Sequence, residues 1–421
     1  MSDNRANQEA LFTEAGKANR IQRYRHGLLW HIVFFCSMIV SVLFLATLLA
    51  TIINRTFGNV AVGYEVHPDE LITDGLPLGE QTKDDLIRHL ENNLRPGLIR
   101  RYNVERPLEE RTRKELLELV IERIVNPHII KSWTLFQTLF FKKRIMHFIQ
   151  ENPESWLQFR SWVNPKFLSK PQASVPELAG IRTAILGSLW IIAITIVVAF
   201  PIGVAAAVYL EEYTRDSWYN RFIQVNIYNL SGVPSIIYGL LGLAIFVRSL
   251  EPLTSGAMLG AIDPTTANGR TILSAGLTLA LLILPIIIIN SQEAIKAVPK
   301  SLRDSSYGLG ATKWQTIWYH VLPAAMERIL TGAILAISRA LGETAPLVVV
   351  GASTFIAIDP DSLFSKFTAL PIQIYQWTAR PQAEFRNAAA AAILVLLVLL
   401  LSMNTGAIIL RNRIGMKRRT G

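Results

Sequence analysis

Six long apolar runs limit this chain more than any other feature. They occupy residues 27–53, 184–209, 227–246, 272–291, 329–350 and 388–410, with polar stretches between them. A spanning helix needs about 20 mostly apolar residues, and each run is at least that long. The chain is 51% hydrophobic and 18% charged, against about 25% charged in soluble domains. A soluble enzyme is therefore excluded. The expected fold is an all-α polytopic membrane protein with six transmembrane helices. Its lone Cys36 leaves no internal disulfide and no thiolate metal cluster. The net charge of +10 requires no nucleic acid, because cytoplasmic loops of membrane proteins are rich in Lys and Arg.

The first run follows a 26-residue polar leader and contains His31 but no Asp, Glu, Lys or Arg. Its 27 residues exceed the roughly 7–15 of a signal-peptide apolar region, so it reads as an anchor. Pro201, Pro234, Pro285 and Pro346 fall inside or at the end of four runs, where neighbouring helices satisfy the freed backbone groups. With the N-terminus inside, the cytoplasmic segments 1–26, 211–226, 292–328 and 411–421 hold 17 Lys and Arg. The short outer loops 250–270 and 357–386 hold four. Both termini are thus expected in the cytoplasm. The layout is a tail 1–26, an anchor 27–53, an extracytoplasmic insert 54–180, a transmembrane unit 181–411 and a basic tail 412–421.

The insert is soluble in character, with 19 Lys and Arg against 17 Asp and Glu over residues 55–182. Residues 105–125 read as one amphipathic helix carrying Leu116, Leu119, Val120 and Ile124 near a 3.6-residue period. Glu109–Arg113 and Glu110–Lys114 form attractive i,i+4 pairs along it, and Glu118–Glu122 a repulsive one. A second helix follows Gln81-Thr82-Lys83-Asp84, and residues 59–66 alternate like a strand. This predicts a small α+β domain. His67, His89, His128 and His147 are isolated, which points to structural roles, and no metal constellation or nucleophile–base spacing accompanies them.

The most informative segment is the cytoplasmic loop 293–323, EAIKAVPKSLRDSSYGLGATKWQTIWYHVLP. Ser301 and Asp304 have capping-box spacing, which predicts a helix from near Leu302 to Gly308 or Gly310. Thr312 and Gln315 form a second box. Trp314, Ile317, Trp318, Val321 and Leu322 then make an apolar stripe that Pro323 ends. On periodicity alone, the stripe suits a membrane surface or a partner's groove equally well.

This loop resembles the EAA loop of ABC-transporter permeases, with Asp304-Ser305-Ser306 at E-A-A, Gly310 at the glycine and His320-Val321-Leu322-Pro323 at I-x-L-P. Asp for Glu, Ser-Ser for Ala-Ala and His for Ile are departures from that pattern. Residues 309–314 (LGATKW), 338–347 (SRALGETAPL) and 232–240 (GVPSIIYGL) are similar to signatures of the phosphate-specific permeases. The GETAPL ending favours their PstA type over the companion PstC type. The resemblance covers roughly residues 180–411, and the insert departs from it.

The resemblance implies a six-span ABC importer permease for inorganic phosphate in a bacterial cytoplasmic membrane, paired with a PstC-type permease. A PstB-type ATPase dimer would bind ATP and Mg and seat on the loop through Asp304, Gly310, Trp314, Ile317, Trp318, Leu322 and Pro323. A PstS-type binding protein would deliver phosphate from outside. The chain itself carries no cofactor, and no G-x-x-x-x-G-K-[ST] occurs in it. Permeases for sulfate or molybdate, and a membrane-anchored sensor, are the alternatives. The 11 residues after Leu410 argue against the sensor.

Arg339 and Glu343 stand at i,i+4 in the fifth run. Ionisable residues at that depth are costly and often mark a substrate path, although a purely structural pair has the same spacing. A guanidinium offers forked donors to phosphate oxygens, and Glu343 would hold it in place. Pro346 disrupts the helix near Thr344, and Pro234 acts similarly beside Ser235, so both hydroxyls join the expected path. Arg182 and Arg248, at span ends, read as interfacial snorkelers.

Overall fold

The computed structural model describes residues 14–419 apart from 67, 74, 106, 127, 215, 216, 261–268, 354 and 357. The expectations for the leader before residue 14 and for His67 fall outside the described residues. The chain divides into two units, Met1–Asn54 and Arg55–Gly421. The first is carried by one long helix, α1 (Glu14–Thr56), with the Trp30 ring stacked on Phe34 at 5.7 Å.

The second unit opens with β1 (Phe57–Gly63), followed by α2 (Lys83–Asn93), α3 (Arg113–Val120), β2 (His128–Ser132), α4 (Lys142–Glu151) and β3 (Trp156–Ser161). The strands form an antiparallel sheet in the order β2-β1-β3, with Val60 opposite both Ser132 and Gln158. Helix α2 forms where the sequence places a second helix, and a Thr82–Asp85 capping box closes its first turn. The single helix predicted over 105–125 does not form. Thr112 caps a new helix through a box with Glu115, and Pro107 precedes a separate turn at Leu108–Glu110. Arg113 is drawn away from Glu109 to the carbonyls of Gln81, at 2.8 Å, and Gly79. Leu116, Val120 and Ile124 still bury together, with Leu119 packed against them.

The helices of the remaining segment follow: α5 (Arg182–Val208), α6 (Trp218–Ser231), α7 (Ser235–Gly242), α8 (Ile272–Lys296), α9 (Lys300–Gly308), α10 (Lys313–Thr316), α11 (Leu322–Gly342), α12 (Ala345–Val350), α13 (Leu370–Ala379) and α14 (Ala383–Arg419). Among the described residues, five stretches are long and apolar enough to cross a membrane: Arg23–Thr56, Arg182–Tyr213, Ile272–Lys296, Lys313–Gly342 and Ala383–Arg413.

A sixth crossing exists only if α6 and α7, extended through Ser249, count as one span bent by 105°. The run at 227–246 is therefore not the straight helix its composition suggests. Pro234 has no N–H and disfavours helix at the residue before it. The Tyr238 hydroxyl fixes the corner by donating to the Leu230 carbonyl at 2.7 Å.

Helix α8 is the axis of the bundle. Its Ile272, Leu279, Ile283 and Ile287 are buried against Ile191, Ile192 and Ala199 of α5 and Ala336 and Ala340 of α11. Lipid offers little hydrophobic drive for helix association, so close packing through small residues supplies it. Arg182 is not the snorkeler its position suggests. It pairs with Asp359 at 2.7 Å, and the neighbouring Thr183 hydroxyl donates to the same carboxylate at 2.8 Å.

Candidate functional site: a coupling loop and a charged helix break

The loop between α8 and α11 is a rigid two-helix element. Its first helix starts at Lys300 after Pro299 without a side-chain cap, so the Ser301–Asp304 box does not form. The reason is that Pro299, with its fixed φ, already sets the first turn. The second box is present: the Gln315 amide N–H meets the Thr312 hydroxyl at 3.4 Å, and Gln315 Oε1 accepts from the Thr312 N–H at 2.9 Å. Between the helices Gly310 adopts φ +84°, where a Cβ would be strained. The Ser306 and Thr316 hydroxyls lie 2.9 Å apart, buried, and join the two helices.

Pro323 does not end the stripe, as its sequence position predicts, because the helix runs on from Lys313 to Gly342. The turn Ile317–Val321 is wound wide, with the Leu322 N–H bonded to the Ile317 carbonyl five residues back, and Pro323 occupies the first turn of the next segment.

The stripe is also split. Ile317 and Val321 are buried against their own chain, and Leu322 is half-buried. Trp314 and Trp318 stack at 5.4 Å and stand more than half exposed, and Leu309 is 90% exposed. Asp304 is exposed as well. Trp314 and Trp318 border an apolar groove with Phe200, Val204 and Tyr213.

Sequence reasoning missed what anchors this loop. Arg303 donates to Glu212 Oε1 from Nε at 3.0 Å and from Nη2 at 2.6 Å, and to the Val298 and Ile295 carbonyls at 2.7 and 3.0 Å. The pair is largely buried, with 15% and 7% of the two side chains exposed. Lys313 adds a cation–π contact to the Tyr213 ring at 5.1 Å. Glu212 and Tyr213 close the end of the α5 span, so the loop is fastened to that span. The partners lie 91 residues apart in sequence, and no local pattern announces them.

The second constellation is the break after α11. Arg339 Nε lies 3.3 Å from Glu343 Oε1, so the pair expected at i,i+4 is formed. Glu343, however, is extended (φ −75°, ψ 124°) and sits just outside the helix. Thr344 follows at φ −106° and caps α12 without a side-chain hydrogen bond, and Pro346 fills the first turn of α12. The run at 329–350 is therefore two helices joined at Glu343-Thr344.

The two signatures meet here. A Cβ built at Gly239 of α7 would fall 2.7 Å from the Pro346 Cα, so α7 and α12 touch backbone to backbone. Ser235, in the first turn of α7, is half-buried, and no contact joins it to Arg339 among the described residues. Arg328, Leu335 and Arg339 lie on one face of α11 at i, i+7 and i+11. Leu335 is 66% exposed and the Arg339 side chain 48%.

Residues 199–415 match the family described as binding-protein-dependent transport system inner membrane component. That span contains the loop, the helix break and all three signature segments, and it excludes the β1–β3 segment. The phosphate transport system permease protein PstA of Yersinia pestis is 35% identical over 226 residues, 53% of this chain and 70% of that protein. PstA 1 of Mycobacterium tuberculosis is 36% identical over 234 residues, 55% and 70% of the two chains. PstC of Pasteurella multocida is 30% identical over 266 residues, 60% and 73%. With its apolar helices the protein is a multi-pass membrane component and a permease subunit, not an enzyme. The chain belongs to the family of binding-protein-dependent transport system inner membrane components.

Proposed function

We propose that this chain is the PstA-type permease subunit of an ATP-driven importer of inorganic phosphate. The observation that carries the reading is the helix break itself, where Arg339 and Glu343 face each other beside the Gly239–Pro346 contact. An arginine within an apolar span is costly, about 2.5–3.5 kcal/mol on the insertion scale when it sits at the helix centre. It is retained where it faces protein or an aqueous path. A guanidinium matches phosphate oxygens with two parallel donors. The Glu343 carboxylate orients it and, as a competing anion, keeps the ion from being held too tightly. Thr344 and Ser235 offer hydroxyls at the two helix starts nearest the break.

The exposed face Arg328–Leu335–Arg339 would be closed by a PstC-type permease. The two arginines lie about 16 Å apart along the helix, so the companion would complete a path with a cation near each end. A PstB-type ATPase dimer, holding ATP and Mg, would seat on Asp304, Leu309, Trp314 and Trp318. The Arg303–Glu212 pair would pass its closure into α5. The fixed ends of α5 support the two-sided layout: Glu212 lies with the coupling loop and Arg182 with Asp359. The Lys and Arg bias assigns the coupling loop and both termini to the cytoplasm. The α+β insert at 54–180 then lies outside, where a PstS-type binding protein arrives and for which it offers a docking surface.

The test is uptake of labelled phosphate by cells lacking the chain, with and without its re-expression, challenged by excess sulfate and molybdate. Restored uptake that only phosphate and its close analogues suppress is expected. Suppression by sulfate or molybdate would move the substrate to those anions.

A further inference from the structure

The insert holds a cavity of about 240 Å³ that the transport reading does not use. Its walls come from β3, the turn after it and the segment leading to α5, and its polar wall residues are Gln158, Arg160, Asn164, Lys166, Lys170 and Glu177. Asn164 is spent on the chain itself: its side chain caps the helix Pro165–Ser169 through the Phe167 N–H at 2.9 Å and donates to the Ser161 carbonyl. The Glu177 carboxylate is also occupied, accepting the Ile129 N–H at 2.9 Å.

Arg160 is held on two sides and left short of an anion. Its guanidinium stacks 4.7 Å from the Trp162 ring centre, and Nη2 donates to the Glu177 carbonyl at 2.9 Å. Among the described residues no carboxylate oxygen comes within 4.0 Å of it, and Nε and Nη1 have no acceptor. Burial pushes its pKa below the usual arginine value, against the weaker opposing pull of Glu177. A partly desolvated cation whose counter-charge acts only from beyond 4.0 Å is incompletely compensated, and a ligand anion would add to that compensation.

Lys170, half-buried on the same wall, makes no side-chain ion pair among the described residues. Lys166 is engaged by Glu118 only at 3.7 Å, with both side chains at least half exposed. The remaining wall is apolar, from Val62, Ile121, Ile129 and Leu178.

We propose that this cavity binds a phosphoryl oxyanion, with Arg160 as the forked donor and Lys170 as the second cation. Guanidinium donors pair with phosphoryl oxygens in parallel, and a lysine adds an adaptable point charge. Two sources share that chemistry. Free phosphate is one. The other is a lipid headgroup, since the wall adjoins the start of α5: the Arg182 N–H bonds to the Lys170 carbonyl at 3.1 Å, and Phe167 packs on Trp377.

The test uses the full chain in an Arg339→Ala background, which removes the helix-break site, reconstituted in phosphatidylcholine nanodiscs. Equilibrium binding of labelled inorganic phosphate is measured there. A parallel sample containing phosphatidylglycerol is examined by native mass spectrometry for retained lipid. Saturable phosphate binding that Arg160→Gln and Lys170→Ala each weaken about tenfold or more is expected if the ion is free. Selective retention of phosphatidylglycerol, lost in the same variants, is expected if a headgroup fills the cavity. A chain that binds no phosphate and shows no lipid preference overturns the proposal, as does binding of either that survives Lys170→Ala.

Discussion

Gly239 of α7 and Pro346 of α12 are in backbone contact, close enough that a Cβ on the glycine would lie 2.7 Å from the proline Cα and 3.0 Å from its carbonyl oxygen. Each residue sits in a signature segment, and each of these two segments contains a helix break. The contact fixes the broken span α6–α7 against the break that carries Arg339 and Glu343.

Gly239→Val is therefore expected to force the two breaks apart. Overpacking of this kind typically costs about 1–3 kcal/mol, and here the obstacle is backbone rather than a movable side chain. Uptake should fall severely and the thermal midpoint should drop. Gly406→Val, with nothing within 4 Å of its Cβ position, should leave both near wild type.

Much of this arrangement is legible in the sequence. The apolar runs locate the spans, because length and composition suffice for that. The Thr312 box is local and forms as read, and the helix expected beside Thr82-Lys83-Asp84 starts at Lys83. The departures come from tertiary context. Run 227–246 is uniformly apolar, so nothing in its hydropathy marks a 105° corner. Ile317 and Trp318 are apolar neighbours, yet one is buried and the other stands half exposed. Arg182 and Asp359, like Arg303 and Glu212, are far apart in sequence and meet only once the helices pack.

Replacing Glu212 with Ala leaves Arg303 buried among carbonyls without its counter-charge. Breaking a buried pair costs about 3–5 kcal/mol, and here the loop bears the loss. The chain should still insert, while phosphate-stimulated ATP hydrolysis by the assembled transporter should fall sharply. Wild-type coupling in this variant would mean that the pair does not carry motion between the loop and α5.

Gly310 tests the loop at its turn. At φ +84° a side chain costs on the order of 1–2 kcal/mol, and Asp adds a charge on the surface offered to the ATPase. Gly310→Asp is expected to abolish uptake with membrane insertion intact. Normal uptake would remove the loop from the coupling role.

The exposed face of α11 can be probed chemically, because Cys36 is the chain's lone cysteine. In a Cys36→Ser background within the assembled transporter, Leu335→Cys should react with an anionic thiol reagent and lose uptake on reaction. Val197→Cys on α5, 71% exposed along an apolar span, should stay unlabelled in lipid. An unreactive Leu335→Cys would place this face in a dry contact instead of a water-filled path.

Arg339 is expected to handle the transported anion. The most direct measurement is labelled-phosphate uptake in cells depending on this chain, comparing wild type, Arg339→Ala and Glu343→Gln at matched membrane levels. Loss of uptake in Arg339→Ala, with partial uptake and an altered half-saturation in Glu343→Gln, is the predicted result. Uptake by Arg339→Ala at the wild-type rate would show that the pair only holds the helices together.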